Sequence, residues 1–311
     1  QLIRLESLPL RAIETILDCP DIPESVLQSL LGHSREEVRR RAGHLKRRQE
    51  EGGVGWTLRL QSLGFFTVHC GSRRVGEDEW RTQKVKLLLA YFAAAWDRKV
   101  GEDEILEQFW PESKGATKRS LYVATTELRR LLRPRLEGEA CDADYIVREK
   151  GSLFLNLQLP VWHDLVEAEE LWARAADYEK AGRAEDAASA YRRICNLYLG
   201  PFLEGHYMDW VVRRRATWEE RATAAARFLS GFSLSQNRPR DALEWSDWAL
   251  NLDAADLDSH QARLQAYLQL RQPEAVLRHF EAAEKLLRRE YGLEPSTAMI
   301  ELQQRARYGI F

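Results

Sequence analysis

The spacing of apolar residues changes twice between residues 57 and 157, and this change restricts the fold more than any other feature. Across 57–75 apolar and polar residues alternate, and Gly64 and Gly71 interrupt the alternation. This pattern is typical of a small antiparallel sheet. Apolar residues then recur at helical spacing, and a second alternating segment follows. The sequence therefore predicts strands, then helices, then a terminal hairpin.

Three helices are predicted inside this region. The first has an apolar face formed by Val85, Leu88, Leu89, Phe92 and Ala93. The second spans residues 102–109 and ends at Trp110-Pro111, because proline cannot continue a helix. The third is predicted over residues 117–133 and ends before Pro134.

The third helix has one apolar and one polar face. Its apolar stripe consists of Leu121, Ala124, Leu128, Leu131 and Leu132. Its polar face consists of Lys118, Arg119, Tyr122, Thr126, Arg129 and Arg130. Residues 114–135 contain seven cations and one acid, Glu127, whereas the whole chain has a net charge of -2. A basic helix is usually a solvated face, so charge alone leaves both a structural and a nucleic-acid-binding interpretation open.

A hairpin is predicted from residues 145–148 and 153–157, joined by 149–152 with Gly151 at the turn. Strands, three helices and a terminal hairpin together form a winged helix–turn–helix, an α+β fold. The hairpin supplies the wing, and Arg148 and Lys150 are its cations.

The C-terminal region is predicted to be helical throughout and to contain tetratricopeptide-like repeats. A helix–turn core with a small alanine occurs around Ala187, Ala242 and Ala275. The last two alanines are 33 residues apart, close to the ~34-residue period of that repeat. The fold class is therefore mainly α, with one α+β winged-helix domain.

Several motifs of the middle region resemble the OmpR-type winged helix, in particular its version in SARP-type, AfsR-like bacterial transcriptional activators. They are Leu63-Gly64, Trp80-Arg81-x-x-Lys84, Leu87-Leu88-Leu89-Ala90, Phe109-Trp110-Pro111 and Leu128-Arg129-Arg130-Leu131-Leu132. Residues 200–205, Asp209-Trp210-Val211 and residues 291–296 resemble the bacterial transcriptional activator domain that follows the winged helix in those regulators. The resemblance covers roughly residues 57–311.

The resemblance implies that the third helix enters the DNA major groove, that the wing contacts the adjacent minor groove, and that two copies bind direct repeats. The implied DNA-binding residues are Lys118, Arg119, Tyr122, Thr126, Arg129, Arg130, Arg148 and Lys150. Many OmpR-type helices carry two basic residues where this chain has Thr126 and Glu127. Glu127 either accepts a hydrogen bond from cytosine N4 or repels phosphate. The loop before the third helix is implied to contact RNA polymerase through Glu112, Ser113 and Lys114.

Composition breaks predict three segments. Residues 1–55 contain one HEAT-like unit at 30–42 and end in a charged, glycine-rich linker. We expect this stub to be the tail of a longer upstream region, because a single repeat cannot bury its apolar face. The winged helix is predicted at 56–159 and the activator domain at 160–311.

The sequence contains no motif that predicts an enzyme, a metal site or a bound cofactor. Lys114-Gly115-Ala116-Thr117-Lys118 differs from a phosphate-binding loop in the order of its glycine and lysine. The resemblance to AfsR-like regulators, which often include an ATPase module, implies that any such module lies before residue 1. The four isolated cysteines favour a reducing cytoplasm, and no apolar run is long enough to cross a membrane.

Two functions of different classes follow from this reading. The first is a sequence-specific DNA-binding transcriptional activator that contacts RNA polymerase. The alternative is a helical-repeat scaffold or signalling protein whose winged helix binds protein. Salt dependence separates them, because DNA binding weakens steeply with salt through counterion release.

Overall fold

The computed structural model describes residues 58–71, 73–111, 117–133, 135–136, 139–140 and 144–310, together with seven isolated positions before residue 40. The chain divides into two compact units, Gln1–Glu167 and Ala168–Phe311. The predicted boundary after residue 159 stays a prediction. The HEAT-like stub lies almost wholly outside the described residues.

The N-terminal unit contains a four-stranded sheet. Its strands are β1 (Leu58–Gln61), β2 (Thr67–Cys70), β3 (Arg73–Arg74) and β9 (Val161–His163), in the order β3-β2-β1-β9. The β1–β2 and β2–β3 pairs are antiparallel, which confirms the predicted meander. The parallel pairing of β9 with β1 was not predicted from the sequence.

Three helices follow the sheet, after a 3-10 turn at Glu77–Glu79. They are α1 (Gln83–Ala95), α2 (Glu102–Phe109) and α3 (Thr117–Leu131), with the short β4 (Val100–Gly101) before α2. Helix α3 ends two residues before its predicted limit. Leu88 of α1 and Leu121 and Leu128 of α3 are at most 3% exposed, so both predicted apolar stripes contribute to the core, although Leu131 is only half-buried.

The wing consists of β7 (Ile146–Glu149) and β8 (Ser152–Leu155), and β8 also pairs with β4. The predicted four-residue connection is wrong, because the two-residue turn Lys150-Gly151 joins the strands. Their φ angles of 48° and 79° are those of a tight hairpin turn, which matches the twist of the strands. A small separate ladder joins β5 (Arg135–Leu136) to β6 (Glu139–Ala140).

The C-terminal unit is helical, as predicted. Its helices are α4 (Asp164–Lys180, which begins in the N-terminal unit), α5 (Ala184–Leu197), α6 (Asp209–Ser235), α7 (Pro239–Leu252), α8 (Leu257–Gln269), α9 (Pro273–Leu286) and α10 (Thr297–Arg307), with a π-helical turn at Leu287–Tyr291. Ala187 and Ala242 are fully buried, as the close packing of paired helices requires. Ala275 is half-buried.

Within the described ranges, none of the helices is both long and apolar enough to cross a membrane.

Candidate nucleic-acid interface

Helix α3 is anchored by its buried side and exposes a stripe on the opposite side. Leu121, Ala124 and Leu128 are buried in the N-terminal unit. The exposed stripe consists of Arg119, Val123, Thr126 and Arg130, at positions i, i+4, i+7 and i+11. This spacing places all four side chains on one face of an α-helix. We call this set the α3 stripe.

The α3 stripe has a cation near each end and smaller groups between them. The side chain of Arg130 is 76% exposed, and Arg119 is exposed and forms no ion pair with any described residue. Val123 is 37% exposed. Sequence reasoning missed Val123, although its spacing of four residues from Arg119 was a usable signal. An exposed aliphatic group of this kind fits the methyl group of thymine.

Two further predicted residues border the α3 stripe. Lys118 and Tyr122 are exposed, and Tyr122 is 58% accessible. The Thr126 hydroxyl donates a hydrogen bond of 2.8 Å to the carbonyl oxygen of Tyr122, so its oxygen lone pairs stay available to accept. These groups supply a cation, a phenol and an acceptor on the exposed side of α3.

Arg129 is turned away from the stripe and toward the base of the wing. Its Nε donates to the carbonyl oxygen of Ile146 at 2.8 Å, and the guanidinium forms an ion pair of 3.1 Å with Asp144. Only 26% of the side chain is exposed. Arg129 therefore fixes β7 against α3, a role that its place in the sequence did not reveal.

The two predicted cations of the wing differ in their surroundings. Arg148 forms an ion pair of 2.5 Å with Glu102 at the start of α2, which ties the wing to that helix. Lys150 lies at the tip of the hairpin and is exposed. Between them, the carboxylate of Glu149 pairs with Lys99 at 2.5 Å. Lys150 is thus the wing cation best placed to reach an external anion.

Glu127 contacts two arginines. Its Oε1 lies 3.2 Å from a guanidinium nitrogen of Arg81, and its Oε2 lies 3.1 Å from one of Arg130. Arg81 precedes α1 and was not among the predicted site residues. Glu112, Ser113 and Lys114, predicted to contact RNA polymerase, lie outside the described residues.

A buried Ser62–His163–Asp164 cluster lies elsewhere in the N-terminal unit. The hydroxyl of Ser62 lies 2.9 Å from Nε2 of His163 and donates to Asp164 at 3.0 Å. Asp164 also accepts from the backbone N–H groups of Ser62, Leu63 and Leu165, so it joins the end of β1 to the start of α4. Burial raises the pKa of Asp164 to about 6. The side chains of His163 and Asp164 are 0% and 3% exposed, which leaves no access for a substrate.

No group of three or more acidic, histidine or cysteine side chains suited to a metal ion occurs in the described part of the chain.

Comparison with known proteins gives a family match for the C-terminal region. The family model described as "Bacterial transcriptional activator domain" matches residues 163–307. No curated protein matches the sequence. The family match confirms the predicted resemblance of the C-terminal region to a bacterial transcriptional activator domain.

Two solved structures match the chain. The first is Mycobacterium tuberculosis EmbR in complex with low affinity phosphopeptide, with a TM-score of 0.65 and 17% identity. The match covers 81% of this chain and spans 65% of the EmbR chain, and it supports the predicted fold class. The second is the P58(IPK) TPR domain, with a TM-score of 0.32, 14% identity, and coverage of 99% of this chain and 78% of that chain. The second superposition is too loose to support a statement about the fold.

Proposed function

We propose that this chain, whose residues 163–307 match the family model of the bacterial transcriptional activator domain, is a sequence-specific DNA-binding transcriptional activator. Helix α3 docks in the major groove of DNA, and the wing tip at Lys150 contacts the neighbouring backbone. The protein acts in the cytoplasm and recruits RNA polymerase through residues 112–114.

The α3 stripe is the observation that supports DNA binding most directly. Its arginines are exposed, whereas the opposite side of the same helix is buried in the core. Guanidinium groups make bidentate hydrogen bonds with guanine and pair with phosphate. The groups between the arginines, Val123 and Thr126, are short enough to let the helix approach base edges closely.

We expect two copies to bind DNA on direct repeats, because the interface of a single copy is small. A single DNA-binding module buries only roughly 600–1,000 Å² of protein surface. Direct repeats about one helical turn apart place two such modules on the same side of DNA.

Selection of bound fragments from random duplex DNA tests the proposal. We expect the 311-residue chain to enrich one repeated motif and its affinity for that motif to fall steeply as salt rises. Enrichment of no motif, together with salt-insensitive binding to a protein partner, would instead support a helical-repeat scaffold whose winged helix binds protein.

A further inference from the structure

The cluster Arg81–Glu127–Arg130 shares one residue, Arg130, with the α3 stripe. One carboxylate holds two arginines, through ion pairs of 3.2 Å and 3.1 Å. The side chains of Arg81 and Arg130 are 59% and 76% exposed, whereas that of Glu127 is 21% exposed. The carboxylate is therefore the inner group, and both guanidiniums lie outside it, facing solvent.

This arrangement contributes little to folding. Exposed ion pairs are weakened by solvent screening and by the loss of side-chain entropy, so they stabilise proteins only slightly. An acid in this position also lowers the positive charge of a face that meets phosphates. Neither a gain in stability nor a gain in positive charge explains why Glu127 lies between the two arginines. Orientation of the two guanidinium groups does explain it.

The geometry of the guanidinium group shows what the orientation achieves. Each arginine has five N–H donors in a rigid plane. The ion pairs engage one nitrogen of Arg81 with Oε1, and one of Arg130 with Oε2. Each ion pair restricts the direction of its guanidinium, and the exposed side chains leave the remaining donors facing solvent. Without the carboxylate between them, the two cations would repel each other and would lose that direction.

We propose that Glu127 is a positioning residue that presents Arg81 and Arg130 together to DNA, so that Arg81 belongs to the interface although it lies outside α3. This inference rests on the proposed DNA-binding function. Glu127 raises discrimination between sequences by reducing the freedom of the two arginines, and it lowers affinity for DNA in general because of its negative charge.

Glu127→Gln tests the proposal in the full chain, because it removes the charge and preserves the shape. We expect affinity for a duplex of scrambled sequence to rise and its salt slope to steepen by about one, since a negative charge beside the phosphates is lost. Discrimination between the selected motif and the scrambled duplex should fall about tenfold, because the arginines are no longer held.

Glu104→Gln is the matched control. Glu104 forms an exposed ion pair of 2.8 Å with Arg98 in the same unit, and its replacement changes the net charge equally. We expect this variant to bind both duplexes slightly better and to leave discrimination unchanged. Arg81→Ala should also reduce discrimination, and the Arg81→Ala/Glu127→Gln double variant should lose less than the sum of the two single losses.

The possible results distinguish a failure of this inference from a failure of the proposed DNA-binding function. Equal gains of Glu127→Gln on both duplexes would show that Glu127 only repels phosphate, and would overturn the inference. A loss confined to one base pair, with Arg81→Ala unchanged, would make Glu127 a direct base reader and would also overturn it. A parent chain that enriches no DNA motif would remove the proposed function itself.

Discussion

The arginines of the α3 stripe and Arg215 of the C-terminal unit are used in opposite ways. In the N-terminal unit, Arg119 and Arg130 are exposed on α3, and Arg130 pairs with the carboxylate of Glu127. In the C-terminal unit, Arg215 of α6 donates to the backbone carbonyls of Phe202, Leu203 and His206 at 3.1, 2.9 and 2.7 Å. Arginines at the α3 stripe keep donors available for an external anion, whereas Arg215 uses its donors to hold a loop.

Two histidines of the C-terminal unit, His260 and His279, also direct their hydrogen bonds to groups within that unit. Nε2 of His260 lies 3.0 Å from the carbonyl oxygen of Ala254, which can only accept, so this nitrogen carries the proton. Nδ1 of His260 then accepts from Nε2–H of His279 at 3.0 Å. Burial lowers the pKa of both rings, and with the Arg263 guanidinium it brings the pKa of His279 to about 3. The pair is therefore a neutral structural element at neutral pH.

The largest effect that tests this contrast is expected for Arg215→Ala. Its loss leaves three carbonyl oxygens of the loop without their donor, so we expect the free energy of unfolding to fall by about 2–3 kcal/mol. Arg213→Ala is the control, because Arg213 is an exposed residue of the same helix and should change stability by no more than about 0.5 kcal/mol. Urea unfolding measures both. Equal losses would show that the donors of Arg215 do not stabilise the loop.

The second effect separates Arg119 from Arg129 on α3. Arg119→Ala should weaken DNA binding by ~1–3 kcal/mol if the residue reads a base, and should leave stability unchanged. Arg129→Ala removes the contacts with Ile146 and Asp144, so it should lower both stability and affinity. DNA titration and thermal unfolding of each variant measure the two quantities. A double variant that binds DNA as tightly as the parent would show that α3 is not the recognition helix.

Local patterns were sufficient to predict the framework of the N-terminal unit. The stripe of Leu121 and Leu128 predicted the buried side of α3, and Gly151 predicted the turn of the wing, because both signals depend on neighbours in the chain. The two-residue strands β4, β5 and β6 were too short to show an alternating pattern in the sequence. The pairing of β9 with β1 brings together Leu58 and Val161, which no local pattern specifies.

The site was predicted as a set of residue types, but the orientation of its side chains was not. Arg129 and Arg130 are adjacent and chemically identical, yet one contacts the wing and the other faces solvent. The contact of Glu127 with Arg81 joins residues 46 positions apart. Such pairings depend on how α3 packs against the segment before α1, so they require the tertiary structure.

A smaller effect is expected when the spacing of the DNA repeats is changed. Insertion of half a helical turn, about 5 bp, moves the second half-site to the opposite side of DNA. We expect cooperative binding of two copies to be lost while each half-site keeps its affinity. Insertion of a full turn, about 10 bp, is the control because it returns the second half-site to its original side of DNA. Binding curves that do not depend on spacing would show that a single copy binds each site independently.

The smallest effects on folding and DNA binding are expected for the loop before α3. The loop begins at Pro111, which is exposed, after the half-buried Trp110, whose ring lies 5.0 Å from the ammonium of Lys84. Replacement of both Glu112 and Lys114 by alanine leaves the net charge unchanged. We therefore expect stability to change by no more than about 0.5 kcal/mol and DNA affinity to be kept, whereas transcription in a reconstituted assay falls severalfold.

The Asp177→Ala/Lys180→Ala variant is the control for the loop, because it also removes an exposed acid and an exposed lysine, 77% and 79% accessible, from α4. It should leave folding, DNA binding and transcription intact. A loop variant that keeps both DNA binding and transcription would exclude residues 112–114 as the polymerase contact. A parallel loss of DNA binding would instead assign Lys114 to the phosphate backbone, and would extend the DNA interface beyond the α3 stripe toward α2.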